Sequence, residues 1–355
     1  MKILVIQQKM IGDVLTSSII CENLKKYFPE STVDYVINSH TLPVVKNNPT
    51  IDNFIFFSPE YRQSKRAFLA FLIDIKHQKY DIVIDAYGKL ESLLMSLFSF
   101  SKTKISYKKW YTQFLYSKTI ERGKIRKYGF AIDDRLELLK SILPIDANPI
   151  VTPKIYLLEE EIKKGKFFLE ENKITVAEKI VMISILGSSE NKTLPLPFMA
   201  EVINNIAESK IDIILFNYMP SQLKEAEELL HLCSEFARKK IRFDVYAKSL
   251  RDFIVLLSFC EALIGNEGGT VNMAKAIGIP TYSIFAPQIS KDNWDLFSSE
   301  NNISVHLKDF RPDLFADNLA EKKRKKKSLL LYQKFEPDFI KKSLDKFLIH
   351  LKLLN

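Results

Sequence analysis

The 355 residues exceed an ordinary single domain, so two domains of roughly 150 to 180 residues each are expected. Hydrophobic residues at 46% and charged residues at 27% describe a folded, soluble chain. Lys and Arg outnumber Asp and Glu, 52 to 43, giving a formal net charge of +9. Cys21, Cys233 and Cys260 are far apart, form no CxxC pair, and lie in apolar helical stretches. That excludes a disulfide scaffold and a thiolate metal centre, and suits buried thiols in a reducing compartment. The opening Met1–Ile6 turns polar at Gln7, too short for a signal peptide, and no stretch approaches the roughly 20 apolar residues of a membrane span. A cytoplasmic location is the expectation.

Strand and helix signals alternate along the chain. Lys2–Gln7 is a short apolar, β-branched run, followed by a polar loop and an amphipathic stretch, Val14–Tyr27. Val33–Ile37, Asn53–Phe57 and Asp81–Asp85 read as further strands. Between them, Leu42–Asn47, Lys65–His77 and Glu91–Phe100 read as helices, and Asp133–Leu143 as one more. Continuous apolar strands separated by helical periodicity predict a parallel sheet covered on both faces. Pro144, Pro149 and Pro153 then interrupt the pattern.

A second series begins at Lys179–Ile185 (strand) and continues through Pro197–Glu208 (helix), Asp212–Phe216 (strand) and Ser221–Phe236 (helix). Ile241–Tyr246, Leu250–Phe259, Ala262–Gly265, Thr270–Ile277 and Thr281–Phe285 carry the alternation on. The predicted architecture is α/β: two Rossmann-like doubly wound domains in the GT-B arrangement, divided as 1–155 and 156–330. A last helix within 331–355 follows a charged linker and is expected to pack back on the first domain.

The charge is uneven. Between Ser101 and Phe130 nine Lys or Arg, including Lys124 and Arg126, face one acid, Glu121, and are interleaved with Tyr107, Trp110, Tyr111, Phe114, Tyr116 and Tyr128. Glu321–Lys327 adds six basic residues against one acid. Such clusters are either solvated faces or surfaces for phosphates and anionic headgroups. No RNA-recognition motif accompanies them, so nucleic acid is not an expected partner.

Ligands of open parallel sheets bind beyond the carboxyl ends of the strands, which directs attention to three loops. The first, Gln7–Val14, lacks both GxGxxG and GxxxxGK[ST]. Its Gly12 permits a tight turn, and Asp13 reads equally well as a helix N-cap and as an ionised general base. The second, Leu186–Pro197, offers Ser188, Ser189 and Lys192 ahead of a helix, a set suited to a diphosphate. The third, Asn266–Asn272, places Gly268-Gly269 at a helix start, another natural anion site, with Glu267 able to hold sugar hydroxyls. A tight turn alone also accounts for paired glycines.

Taken in order, Ile3–Ile6 with Ile11-Gly12-Asp13-Val14, then Asn191-Lys192, then Gly265–Ala276 with Gly278-Ile279-Pro280, resemble glycosyltransferase family nine, the heptosyltransferase family. Asp85-Ala86-Tyr87-Gly88 is similar to the family's aspartate-containing turn. The resemblance implies a GT-B glycosyltransferase that inverts configuration without a metal or other cofactor. It implies a nucleotide diphosphate sugar such as ADP-heptose as donor. The implied acceptor is an anionic glycolipid of the lipopolysaccharide type, met at the inner membrane face.

By position, the resemblance makes Asp13 the general base and Lys192 the diphosphate lysine. It sets Ser188, Glu267, Gly268, Gly269, Thr270 and Asn272 on the donor side. Lys9, Gly12, Asp85, Lys109 and Trp110 fall on the acceptor side. Three departures stand out: Glu267-Gly268-Gly269 replaces Asp-Ser/Thr-Gly, Asn272 replaces a histidine, and Asn217–Pro220 lacks the acid expected there. They leave a non-catalytic or epimerase-like nucleotide-sugar binder as the alternative.

Overall fold

The computed structural model describes residues 1–122, 127–316 and 326–355. These residues form two compact units, Met1–Tyr156 and Leu157–Asn355, against an expected division after residue 155. Each is a parallel sheet wrapped by helices, the α/β class the alternation predicts.

In the first unit the strands are β1 (Lys2–Ile6), β2 (Thr32–Ile37), β3 (Asn53–Phe56), β4 (Ile82–Asp85), β5 (Thr103–Tyr107) and β6 (Lys118–Ile120). Their order is β3-β2-β1-β4-β5-β6, with every pairing parallel. Ile3, Leu4, Val5 and Ile6 are all fully buried, as a central strand covered on both faces requires. The helix Lys65–His77 shows how sequence fixes a local element. Ser64 caps it by accepting from the Ala67 N–H at 3.2 Å. Phe71, Leu72 and Ile75 repeat on one face and bury against Phe57, Tyr80, Val83 and Met95. Lys76 and His77 occupy the last turn, where positive charge favours the helix dipole.

Strands β5 and β6 lie in the segment read only as basic and aromatic. They are short and lysine-bearing, and β6 is the sheet edge, features that blunt edge pairing and hide a strand signal. The expected helix Leu42–Asn47 is a 3-10 turn over Ser39–Val44.

The second unit contains β7 (Ile180–Ser184), β8 (Ile213–Asn217), β9 (Ala262–Asn266), β10 (Thr281–Phe285) and β11 (Asn302–His306), ordered β11-β10-β9-β7-β8 and all parallel. Two sequence expectations are corrected here. The helix expected over Ser221–Phe236 ends at Leu232, and Ser234 caps a new one, Glu235–Lys240, by accepting from the Ala237 N–H. The run Ile241–Tyr246 keeps only a single bridge, Ile214 to Ile241. There Arg242 pairs with Asp244 at 2.6 Å and the Val245 N–H returns to the Arg242 carbonyl, making a turn instead of a ladder.

The C-terminal helix Pro337–His350 was expected on the first domain, but it is built into the core of the second unit. Ile340, Leu344, Phe347 and Leu348 form its buried stripe. The Tyr282 hydroxyl donates to the Ile340 carbonyl at 3.2 Å, and the Asn205 amide donates to Asp345 at 2.8 Å. Of the basic run Glu321–Lys327, residues 321–325 lie outside the described residues, as do Lys124 and Arg126. Among the described residues no helix is long and apolar enough to cross a membrane.

Both sheets have a topological switch point, between β1 and β4 in the first and between β7 and β9 in the second. Crevices for ligands open beyond the carboxyl ends of strands at such points.

Candidate active site

The first unit's switch point is flanked by the loop after β1, carrying Lys9, Gly12 and Asp13, and the loop after β4, beginning at Asp85. The helix Ile11–Tyr27 has Met10 as its N-cap with no side-chain cap bond, so Asp13 sits in the first turn and is not the cap. Its carboxylate instead receives the Arg135 guanidinium, Nη2 to Oδ1 at 2.8 Å, and its side chain is 29% exposed. Arg135, from the helix Phe130–Leu139, is a partner that no local sequence signal reveals, because 122 residues separate the two. Gly12 offers its carbonyl to the Thr16 hydroxyl at 2.9 Å. Lys9 is half-buried, and the Gln7 amide donates to its carbonyl.

Asp85, expected on the acceptor side, is fully buried and structural. Its Oδ1 accepts the backbone N–H groups of Tyr87 and Gly88 at 3.0 and 2.7 Å, and its Oδ2 accepts the Tyr116 hydroxyl at 2.6 Å. Burial pushes its carboxyl up, and the Gly88 and Tyr116 bonds oppose that shift. With both oxygens engaged inside the protein, Asp85 shapes the turn and presents no oxygen to a substrate. Gly88 follows at φ +61°, a conformation L side chains rarely adopt. The Lys109 ammonium donates to the Gly88 carbonyl, tying the β5 loop to the β4 loop. Beside it Trp110 is 83% exposed and Phe114 74% exposed.

The second unit's switch point is flanked by the loops after β7 and β9. Asn266, fully buried at the end of β9, fixes the first of these. Its Oδ1 accepts the Leu194 N–H at 2.8 Å while its amide donates to the carbonyls of Ser184 and Ile185. The loop also closes on itself: the Thr193 hydroxyl accepts the Gly187 N–H at 3.0 Å and donates to the Ser189 carbonyl at 3.0 Å. A Cβ at Gly187 would run into the Lys192 backbone, so this turn admits no side chain there. Ser188 is exposed on the loop and Lys192, half-buried, ends its 3-10 turn Glu190–Lys192.

Gly268 caps the helix Gly269–Ala276 in an extended conformation, and Cβ atoms built at Gly268 or Gly269 would meet nothing within 4 Å. Neither glycine is demanded by the turn. What they provide is open space above a helix N-terminus, the kind of position where first-turn N–H groups can receive an anion. Glu267 lies beside Lys192. Burial pushes its carboxyl up, Lys192 opposes this, and among the described residues its buried Oε2 has no hydrogen-bond partner. The Thr270 hydroxyl lies 3.3 Å from that of Ser184, and Asn272 is buried at 8% exposure.

Sequence reasoning missed the Asn266 bonds and the support given to this loop from the C-terminal segment. The Ser328 hydroxyl donates to the Asn191 carbonyl at 3.0 Å and also bonds Gln288. The loop Lys192 belongs to is therefore clamped from two sides.

Comparison with known proteins gives a consistent result. Residues 68–314 match the model of glycosyltransferase family 9 (heptosyltransferase), a span that includes Lys192 and Glu267–Asn272 and begins after Asp13. The chain is 23% identical over 303 residues to lipopolysaccharide heptosyltransferase 1 of Campylobacter coli, covering 82% of this chain and 86% of that one. Its fold is similar to the glycosyl transferase family 9 structure from Veillonella parvula DSM 2008, with TM-score 0.76, 17% identity, and coverage of 94% and 97%. It is also similar to E. coli ADP-heptose lps heptosyltransferase II, with TM-score 0.70, 15% identity, and coverage of 94% and 99%.

Proposed function

The chain belongs to glycosyltransferase family 9, the heptosyltransferase family, and we propose that it moves heptose or a related sugar from a nucleotide diphosphate donor, ADP-heptose included, to a lipopolysaccharide-type acceptor. The observation that carries the donor half of this reading is the open helix start at Gly268-Gly269. A diphosphate there accepts backbone N–H groups, while Lys192 supplies positive charge and Ser188 a hydroxyl. Glu267, Thr270 and Asn272 line the same loop and face donor sugar or nucleotide. The names of the Campylobacter and E. coli relatives support lipopolysaccharide as acceptor class and ADP-heptose as donor.

The proposed reaction is a single displacement. An acceptor hydroxyl oxygen bonds to the anomeric carbon as the carbon's bond to the diphosphate oxygen breaks, and Asp13 takes the hydroxyl proton. The electron pair leaves with the nucleoside diphosphate, whose growing charge is met by Lys192 and the helix N–H groups, with no metal or other cofactor. Attack opposite the leaving group inverts the anomeric centre.

On the acceptor side, Met10, Leu90, Trp110 and Phe114 are 66%, 68%, 83% and 74% exposed, on the segments that follow the neighbouring strands β1, β4 and β5. Lys9, Lys89 and Lys108 accompany them. Apolar and aromatic tips among lysines suit an anionic glycolipid and peripheral contact with the cytoplasmic face of the membrane, consistent with a cytoplasmic enzyme.

Incubation with ADP- and UDP-sugars and a truncated, phosphorylated glycolipid, read by mass spectrometry, tests the reading. Mass gain of one sugar from an ADP-sugar, unaffected by EDTA and with inverted anomeric configuration by NMR, is the expected result. Donor binding without transfer, or interconversion of the free nucleotide sugar, would establish the binder or epimerase-like alternative instead.

A further inference from the structure

We propose that Arg135 is a positioning residue for the reaction: it fixes one oxygen of the Asp13 carboxylate so that the other faces the acceptor hydroxyl. The inference rests on Asp13 acting as the base. Arg135 is nearly buried, at 8% exposure, on the helix Phe130–Leu139. Its planar guanidinium spans one turn of the helix Ile11–Tyr27, donating from Nη2 to Asp13 Oδ1 at 2.8 Å and from Nε to the Ser17 hydroxyl at 3.1 Å. Two bonds from one rigid fork determine a direction, which a single contact does not. Among the described residues Asp13 Oδ2 accepts no hydrogen bond, and the Asp13 side chain is partly open to solvent. One oxygen is held and the other is offered.

The fork is itself held in place. The Tyr35 hydroxyl, fully buried, donates to the Val14 carbonyl at 2.8 Å, just below Asp13 on the same helix. Tyr107 lies close enough to Arg135 to interact with it electrostatically, and the Arg122 guanidinium sits over the Tyr107 ring at 4.5 Å. Arg122 also approaches Asp134, the residue before Arg135, at 3.4 Å. A buried cation with this much surrounding structure is costly unless paired, and Asp13 is a carboxylate it pairs with. A general base must lie within hydrogen-bond reach of its proton, and a displacement of about 1 Å costs roughly a hundredfold in rate.

The test measures kcat, acceptor KM and donor Kd for Arg135→Ala, Arg135→Lys, Ser17→Ala and Asp13→Asn. Arg135→Ala is expected to lower kcat about a hundredfold with donor Kd within twofold of wild type, and added ethylguanidinium to restore at least a tenfold share. Arg135→Lys keeps a buried cation but not the fork, and Ser17→Ala removes one of the two bonds without touching charge. Each is expected to fold and to lower kcat about tenfold, which preserves the test if Arg135→Ala does not fold. Arg135→Lys and Ser17→Ala both at wild-type kcat would overturn the proposal, as would a folded Arg135→Ala whose loss guanidinium does not reverse. Asp13→Asn separates the two levels. Turnover retained there sinks the base reading, whereas an inactive Asp13→Asn beside fully active Arg135 variants sinks only the positioning role.

Discussion

Asn266 accepts the Leu194 backbone N–H at 2.8 Å across 72 residues of sequence, and so joins the end of β9 to the far end of the loop that carries Lys192. The same amide donates to the Ser184 and Ile185 carbonyls at 3.1 and 2.8 Å, where that loop begins. One buried side chain thus fixes both ends of the loop. Asn266→Ala strands one N–H and two carbonyls away from water, at a cost of about 3 kcal/mol. A lower melting temperature is expected, together with a loss of the stabilisation by ADP that the proposed function predicts for the wild type. An unchanged ADP-induced shift would show that the loop holds its shape without Asn266.

The glycines of the second unit separate into two kinds. At Gly187 an added Cβ would collide with the Lys192 backbone, whereas at Gly268 it would meet nothing. Gly187→Ala is therefore expected to destabilise the unit by about 1–3 kcal/mol. Gly268→Ala is expected to leave the melting temperature within about a degree and, on the proposed donor site, to weaken ADP binding tenfold or more, because its methyl would enter the space proposed for phosphate. Titration of ADP into both variants checks this, and full affinity in Gly268→Ala would mean the diphosphate does not approach there.

Much of this arrangement is legible in the sequence, and the remainder has physical reasons for being hidden. β1 announces itself because a central parallel strand is apolar on both faces, as Ile3–Ile6 are. β6 does not, since its three residues at an edge begin with an exposed lysine. The open helix start at Gly268-Gly269 is readable because it depends on residues adjacent in sequence. The Arg135–Asp13 and Asn266–Leu194 bonds are made between distant segments and depend on strand order, which periodicity does not encode. Asp85 illustrates the converse: an acid at a strand end looks like a site residue, yet burial and Tyr116 make it a scaffold. The C-terminal helix packs in the second unit and not on the first: an amphipathic stripe says that a face is buried, without saying against what.

Tyr116→Phe tests the scaffold role of Asp85. It removes the 2.6 Å bond to Oδ2 and leaves a buried carboxylate oxygen without its donor. A loss of about 1–3 kcal/mol is expected, with donor affinity unchanged because the loops proposed to hold the donor belong to the second unit. Equal stability of Tyr116→Phe and wild type would contradict the assignment.

Glu22 predicts a pH dependence of stability in the first unit. The side chain is 3% exposed, and burial raises its carboxyl to about 7, with Lys154 opposing the shift. A folded-state value above the unfolded one means that the folded state binds the proton more tightly. The stability it contributes is full below about pH 4.5 and is lost as pH rises through about 7. Glu22→Gln is expected to match wild type at pH 4 and to exceed it by on the order of 2 kcal/mol at pH 8. Denaturant unfolding at the two pH values checks the sign, and a variant less stable than wild type at pH 8 would reverse it.

The most direct test of the central claim is turnover by Asp13→Asn, which keeps size and one oxygen to accept from Arg135 but replaces the proton-accepting oxygen with an amide NH2. With saturating ADP-heptose and a truncated glycolipid acceptor, kcat is expected to fall by a factor of about 100 to 10,000 while ADP-heptose affinity stays within twofold of wild type. Transfer by Asp13→Asn within tenfold of the wild-type rate would contradict the assignment of Asp13 as the base.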